Sequence, residues 1–331
     1  MERILVTGGA GYVGSACCAQ LLERGFPVEV LDDLSTGFAE AIPEGVKHHL
    51  FDFGNPEALG RLLASTTFDV MFHFAAKALI SESVSNPGVF FDANVASSIA
   101  MLETLRKHGV RKFVFSSSAA VYGSPNVVPI PEEHSKEPVN AYGESKLILE
   151  RILQWYASAY GWSVVAFRYF NASGGAQAWG ERHSPETHII PLLLQTASGR
   201  RDHFEIYGSD YPTADGTCQR DYVHVRDIAQ AHMLALQKMD EPGFHAYNIG
   251  TGTSYSVREV CQAVERVTDR KLRVRQGRRR PGDPAVLCAS PKKLMQDFDW
   301  KPVHSELEQI IRGAWEWEQT ECTQELLAKA Y

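Results

Sequence analysis

Residues 3–14 constrain the fold of this chain more than any other segment. A short apolar run, Arg3-Ile4-Leu5-Val6-Thr7, leads into Gly8-Gly9-Ala10-Gly11-Tyr12-Val13-Gly14 and then a helical pattern near 12–24. Gly8, Gly11 and Gly14 sit where a strand ends and a helix begins. Without Cβ atoms the backbone can approach a pyrophosphate there, and a helix start offers unpaired N–H groups and a partial positive charge. The spacing is GxxGxxG rather than GxGxxG. Its strand–turn–helix setting points to a dinucleotide-binding turn; a tight turn that uses glycine for geometry alone is the plainer alternative.

The alternation of strand and helix continues through the first half. Strand-like runs occur at 3–7, 27–31, 69–75, 111–117 and 163–169, with helical patterns near 12–24, 56–65, 88–107 and 142–160. Such βαβ units predict an α/β fold of Rossmann type, a doubly wound parallel sheet. The run at 69–75 lacks two-residue alternation, as a strand buried on both faces should. After Asn171 the texture changes. Residues 172–185 read as a loop over the carboxyl edge of the sheet. Helical patterns follow near 187–199, 226–238, 256–267 and 304–319, and strands near 204–207, 245–249 and 271–275. The expected domains are 1–170 for the dinucleotide and 171–331 as a smaller α/β substrate-binding cap, with segments of about 204–250 returning to the main sheet. Helix 142–160 carries Leu147, Ile148, Leu149, Ile152, Leu153, Trp155 and Tyr156 around much of its circumference, so it buries two faces. The second face would meet a partner subunit, giving a homodimer, or else the cap.

The bulk properties exclude several classes. With a net charge of -7 over 331 residues, nucleic acid is not the expected partner. No run approaches ~18 apolar residues, so no membrane span is expected. The N-terminus enters a strand at once and lacks a secretion-signal layout. Six scattered cysteines without a CxxC pair read as reduced thiols, and a cytoplasmic location is expected. His48-His49 and the pair His183 and His188 have no matching carboxylate or cysteine cluster in this reading, so no metal is expected.

Two sites emerge from side-chain chemistry. Asp32 ends the second strand 18 residues after Gly14, near the ~20-residue offset at which an acid meets the adenosine ribose. A carboxylate there repels a 2′-phosphate, which favours NAD over NADP. Asp52 would face the adenine amine or serve its own turn. Further along, Tyr142 and Lys146 stand at i and i+4 and share a helix face, with Asn140 as N-cap. A free phenol ionises near ~10; an adjacent ammonium and an oxidised nicotinamide would favour the phenolate. Tyr142 would then take a hydroxyl proton while hydride leaves the same carbon, with Ser118 hydrogen-bonded to that oxygen. Tyr-x-x-x-Lys alone is a weak motif, an ordinary surface pair in many helices. The glycine turn and Ser118 give it meaning.

These segments carry a resemblance. Residues 7–14, Asp32, the run 116–123 and the run 142–146 resemble the extended short-chain dehydrogenase/reductase family. Within it the nucleotide-sugar 4-epimerases are nearer, through Phe72-His73-Phe74-Ala75-Ala76, Arg168-Tyr169-Phe170-Asn171, Tyr207–Thr213 with Asp215-Gly216-Thr217, Arg220–Val225, and Arg280-Pro281-Gly282-Asp283. The likeness runs from Arg3 to about Trp317. It implies Tyr142 as base, Lys146 as its electrostatic and ribose-binding partner, and Ser118 as the hydroxyl-binding group. For NAD it implies Gly8, Gly11, Tyr12, Val13, Gly14, Asp32, Asp52, Phe53, Phe74, Asn94, Lys146 and Tyr169, with Asn94 and Tyr169 towards the nicotinamide. For a UDP-sugar it implies Ser118, Tyr142, Asn171, His188, Tyr207, Arg220, Arg280, Asp283 and Leu287. Guanidinium forks suit a diphosphate, and Asp283 would accept from ribose hydroxyls.

The implied reaction interconverts UDP-galactose and UDP-glucose. C4 is oxidised, the 4-keto sugar rotates while its nucleotide stays anchored, and C4 is reduced from the other face, with NAD bound tightly and not consumed. The alternatives are a 4-epimerase of another UDP-sugar, with an N-acetyl, glucuronate or pentose sugar, and more distantly a non-catalytic NAD-binding protein. Ala119 and Ala120 stand where a 4,6-dehydratase would carry its acidic pair. Leu287 falls where the family limits room around the C2 substituent. His188 replaces an asparagine of some members, and Lys77 lies one position from a cofactor-contacting lysine, so neither role is fixed.

Overall fold

Ile4–Thr7 (β1), Val28–Leu31 (β2), Lys47–His49 (β3), Val70–His73 (β4), Lys112–Ser118 (β5), Ser163–Tyr169 (β6) and Gly243–Ile249 form one parallel sheet in this computed structural model, which describes residues 1–175, 180–280 and 282–320. The order is Gly243–Ile249, β6, β5, β4, β1, β2, β3. Helices cover both faces, so the strands do not alternate between apolar and polar; all four residues of β1 and of β4 and all seven of β6 are buried. Alternation appears instead as a choice between two cores. Ile4, Val6, Phe72, Val165 and Phe167 point to one, with Cys17, Leu21 and Ile228 from helices Tyr12–Glu23 and Val225–Ala235. Leu5, Met71, Phe113, Val164 and Ala166 point to the other, with Leu59, Met101, Leu105, Leu149 and Leu153. A one-residue slip of any strand would exchange its cores.

The segment after Asn171 divides between two places. Helix Val225–Ala235 packs on Tyr12–Glu23, and Gly243–Ile249 pairs with β6 from Gly243 opposite Ser163 to Ile249 opposite Tyr169. Phe204–Tyr207 pairs instead with Val274–Gly277. It lies in a third core with Ile190, Leu193, Val260, Val264, Ile310 and Ile311, from helices Ile189–Ala197, Val257–Thr268 and Leu307–Glu318. Gln219–Arg220 lies between Tyr255–Ser256 and Val286–Leu287 in a small mixed sheet.

Elements not among the expected ones include β3, helices Ile80–Ser85 and Lys292–Phe298, short strands such as Gln219–Arg220 and Val286–Leu287, and a π-helical turn at Asp92–Ala96 inside the expected helix 88–107. β3 reads Lys-His-His, with no apolar run to announce it. In the sheet, β1 lies between β2 and β4. The chain reverses direction across the sheet there, and in open α/β folds the crevice at that reversal receives ligands.

Candidate active site

A cavity of about 1250 Å³ opens at the carboxyl ends of the strands, between the sheet and the segment after Asn171. Its first wall is the glycine turn. Gly8 has φ +73°, and a Cβ there would lie 2.4 Å from the Ala75 backbone nitrogen. A Cβ on Gly14 would lie 2.1 Å from Gly8 O. The glycines therefore let the turn cross the end of β4 and let the helix start press on the turn. No side chain caps that helix at Gly11 and its first turn holds no acid, so its amides stay available to an anion. Asp32 ties the turn to β2: one carboxylate oxygen accepts from Ala10 N at 3.0 Å and the other from Leu34 N at 2.9 Å. Burial raises its pKa despite these bonds.

The second wall is built by close approach of two elements. Ser118 ends β5 and accepts from Ala120 N at 3.1 Å, starting the 3-10 turn Ala119–Tyr122. Helix Ala141–Tyr160 begins at its cap Asn140, whose side chain accepts from Gly143 N at 2.8 Å, as expected from the sequence. A Cβ on Gly143 would lie 2.5 Å from Ala120 O, so glycine there lets the helix reach the turn and brings Tyr142 towards the Ser118 hydroxyl. Lys146 is buried; its Nζ donates to Ser116 O at 2.8 Å and lies 5.8 Å from the Tyr142 ring centroid.

The electrostatics of this group follow from burial. Desolvation raises the Tyr142 pKa, against the lowering influence of the Ser118 hydroxyl, and pushes Lys146 down to about 7. Unfolded lysine holds its proton to ~10.4. Between those values the unfolded chain binds the extra proton, so this group makes stability rise with pH. Cofactor-free wild type should gain about 2 kcal/mol relative to Lys146→Met from pH 7 to 9, measured by urea unfolding. Parallel pH curves for the two proteins would contradict a depressed Lys146.

Most of the expected residues line this one cavity: Gly8, Gly11, Tyr12, Val13, Gly14, Asp32, Asp52, Phe53, Phe74, Tyr169, Asn171, His188, Tyr207, Arg220, Arg280, Asp283 and Leu287 join Ser118, Tyr142 and Lys146. Asn94 is the exception. It is buried in the π-helical turn, where its amide accepts from Lys77 N at 2.8 Å and donates to Lys77 O at 3.0 Å and Ser145 Oγ at 3.0 Å. It braces the cavity-lining segment at Lys77 instead of facing the cavity. Tyr169 donates to His232 Nε2 at 2.7 Å. Asp52 accepts from Gly54 N at 2.8 Å and so also serves its turn.

On the remaining wall Arg220 pairs with Asp283 and donates to Pro284 O at 2.9 Å. Arg280 lies over the Tyr207 ring at 4.0 Å. Pro281 between them lies outside the described residues, as do 176–179 of the expected loop and Cys322. Sequence reasoning missed Asp221, a fully buried carboxylate beside Arg220. It accepts from Thr251 N, Gly252 N and Ala289 N at 2.8–3.1 Å, pinning three chain segments at this wall. The expectation that His183 and His188 lack a carboxylate is corrected: Glu181 contacts His183, and Glu186 Oε1 lies 2.8 Å from His188 Nδ1. Burial opposes a charge on His188, but Glu186 and Glu181 outweigh it and raise the ring to about 9.

Comparison with known proteins agrees with this geometry. The model of the NAD dependent epimerase/dehydratase family matches residues 4–250. The chain belongs to this family. A UDP-glucose 4-epimerase of Lacticaseibacillus casei is 44% identical over 317 residues, covering 95% of this chain and 96% of the relative. Among solved structures, the UDP-glucose 4-epimerase of Brucella ovis in complex with NAD has a TM-score of 0.92 at 41% identity, covering 95% and 98% of the two chains. The Bifidobacterium longum enzyme in complex with NAD+ and UDP has 0.91 at 33% identity, covering 96% and 98%. The family's cofactor is NAD, and the glycine turn with Asp32 fits it.

Proposed function

We propose that this family member catalyses the NAD-dependent interconversion of UDP-galactose and UDP-glucose. The observation that carries the reading is one cavity holding Ser118, Tyr142 and Lys146 beside the Gly8–Gly14 turn, with Arg220, Arg280 and Asp283 on the same wall system. Bound NAD supplies a hydride acceptor and donor at sugar C4 and a positively charged ring. Gly8, Gly11 and Gly14 would seat its pyrophosphate, and Asp32 its adenosine ribose.

Tyr142 takes the proton of the C4 hydroxyl and later returns it to the same oxygen. Ser118 holds that oxygen through its hydroxyl. Lys146 brings a charge beside the phenol from a buried position that excludes water, where electrostatic influence is strong. Arg220 and Arg280 grip the diphosphate as bidentate donors, which requires Arg220 to exchange part of its contact with Asp283 for phosphate oxygen. Strong anchoring at the nucleotide and few named contacts at the sugar leave the 4-keto sugar free to turn over. The same pair of groups then serves either face, so no second base is needed.

A 4-epimerase acting on another UDP-sugar is the second reading, since Leu287 in the cavity wall is intermediate in bulk and does not separate the unsubstituted hexose from an N-acetyl sugar. An NMR time course with UDP-galactose and no added NAD tests the proposal. It predicts UDP-glucose to a stable ratio with no net NADH. Failure to convert UDP-galactose, also with NAD added, together with conversion of an N-acetyl, glucuronate or pentose substrate would overturn it in favour of that sugar.

We also infer a cytoplasmic homodimer. Among the described residues no helix is long and apolar enough to cross a membrane, and the five described cysteines are free and buried. The dimer reading is supported by apolar side chains left at the surface of neighbouring helices: Trp155 is 74% exposed, Val84 69% and Ile99 40%. Tyr156 ties two of these helices by donating to Glu103 at 2.5 Å. A second subunit on this face would bury apolar surface at ~25 cal/mol per Å².

A further inference from the structure

Glu181, His183 and His188 lie on the cavity wall and are not part of the Ser118–Tyr142–Lys146 group. We propose that they bind a divalent transition-metal ion of the zinc class through one carboxylate and two imidazoles, leaving a coordination position open to the cavity. Ligand atoms of all three lie within 4.8 Å of one another. The two rings are 5.1 Å apart at an interplanar angle of 48°, so both edges converge on the carboxylate without stacking. Glu181 is nearly enclosed, its side chain 9% exposed, while His183 and His188 reach 32% and 46%. The carboxylate is thus fixed and the two rings remain approachable from the cavity.

The donor set is what selects the ion. Two imidazoles and one carboxylate suit zinc, cobalt or nickel and not magnesium or calcium, which take oxygen. With bonds of about 2.0–2.1 Å, tetrahedral ligand atoms stand about 3.3 Å apart. His188 Nδ1 lies 3.7 Å from Glu181 Oε2, close to that spacing, and the tighter contact of His183 with Glu181 needs only to open. Three protein ligands with a fourth place free is the arrangement of a zinc site that accepts water or an anion. Glu186 Oε1 lies 2.8 Å from the same His188 Nδ1, so that nitrogen must leave Glu186 to take the ion, while Glu186 keeps Thr187 N at 2.6 Å and His188 N at 2.7 Å.

The position suits the function proposed above, on which this point rests: Glu181, His183 and His188 all line the cavity meant for diphosphates. The ion would stand where an entering nucleotide phosphate can meet its open position.

The test is binding of the metal alone, to whole protein stripped with a chelator and free of UDP-sugar. Zinc is titrated against a chromophoric chelator, and cobalt by its visible absorption. The expected result is one ion per chain, with affinity at least tenfold lower in His183→Asn and in Glu181→Gln, and unchanged in His48→Ala. No ion bound at micromolar zinc, or wild-type affinity in both His183→Asn and Glu181→Gln, would overturn the site and leave the cluster as an ion pair only. Circular dichroism confirms that each variant is folded. Because no turnover is read, loss of this site leaves the epimerase reading intact, and loss of that reading leaves the binding result standing.

Discussion

Tyr142→Phe is expected to keep the fold and NAD and to lose kcat by about 10²–10⁴-fold, the range for removing a positioned acid–base group. The reason is geometric. Tyr142 bears the cavity-facing phenol that the Ser118 hydroxyl meets, and the helix that carries it is held against the Ala119–Tyr122 turn by Gly143. Phenylalanine keeps the ring and its packing and deletes only the oxygen. KM for the UDP-sugar should change little, because the proposed nucleotide contacts belong to Arg220, Arg280 and Asp283. Steady-state kinetics with bound NAD measured in the same preparation separates the two effects. A Tyr142→Phe enzyme at near wild-type rate would remove the phenol from the chemistry.

Glu150→Ala is expected to cost about 3–5 kcal/mol of stability, because it strands a buried charge. Glu150 lies on the Tyr142 helix and Arg168 on β6, both almost fully buried. Arg168 donates Nε to Glu150 Oε1 at 2.9 Å and Nη2 to Oε2 at 2.7 Å. Ser117, next to Ser118, donates to the same carboxylate at 2.6 Å. Arg168 Nη1 also donates to the Tyr122 hydroxyl at 2.8 Å, and Tyr122 in turn to Asn248 Oδ1 at 2.7 Å. One network thus joins the Tyr142 helix, the Ser118 strand, the turn after it, β6 and the edge strand Gly243–Ile249. Glu150→Met with Arg168→Met removes both charges and should recover much of the loss, since replacing a whole buried pair by apolar groups is often near neutral. Urea unfolding of the single and double variants decides it. A single variant that loses less than about 1 kcal/mol would mean the guanidinium finds water or another partner.

The parts of this molecule legible in its sequence are those whose signal is local. The glycine turn, the strand runs and Tyr142 with Lys146 each fit within a few residues, because a turn or one helix face imposes their spacing. The network of Tyr122, Glu150, Arg168 and Asn248 was not legible: its members lie on four elements up to 126 residues apart, and buried polar groups carry no periodic pattern. Asp221 was missed for the same reason, standing in a run valued for its neighbour Arg220. Asn94 was assigned outward from the resemblance, whereas the π-helical turn directs its amide to Lys77 and Ser145. A turn of that kind depends on the surrounding helices and not on Phe90–Asn94 alone. Glu181 and Glu186 beside His183 and His188 were within reach, since all four fall in eight residues. The carboxylates were passed over because no regular element gave them a common face.

The proposed mechanism requires one C4 hydrogen to leave the sugar and return to it inside a closed cavity, with Tyr142 moving only the hydroxyl proton. UDP-galactose carrying deuterium at C4, converted in ordinary water and followed by NMR and mass spectrometry, reports the fate of that hydrogen. The UDP-glucose formed should keep its deuterium fully at C4, because the hydrogen never meets solvent. Loss of the label to water would refute the mechanism, showing a proton abstracted from C4 and replaced from solvent.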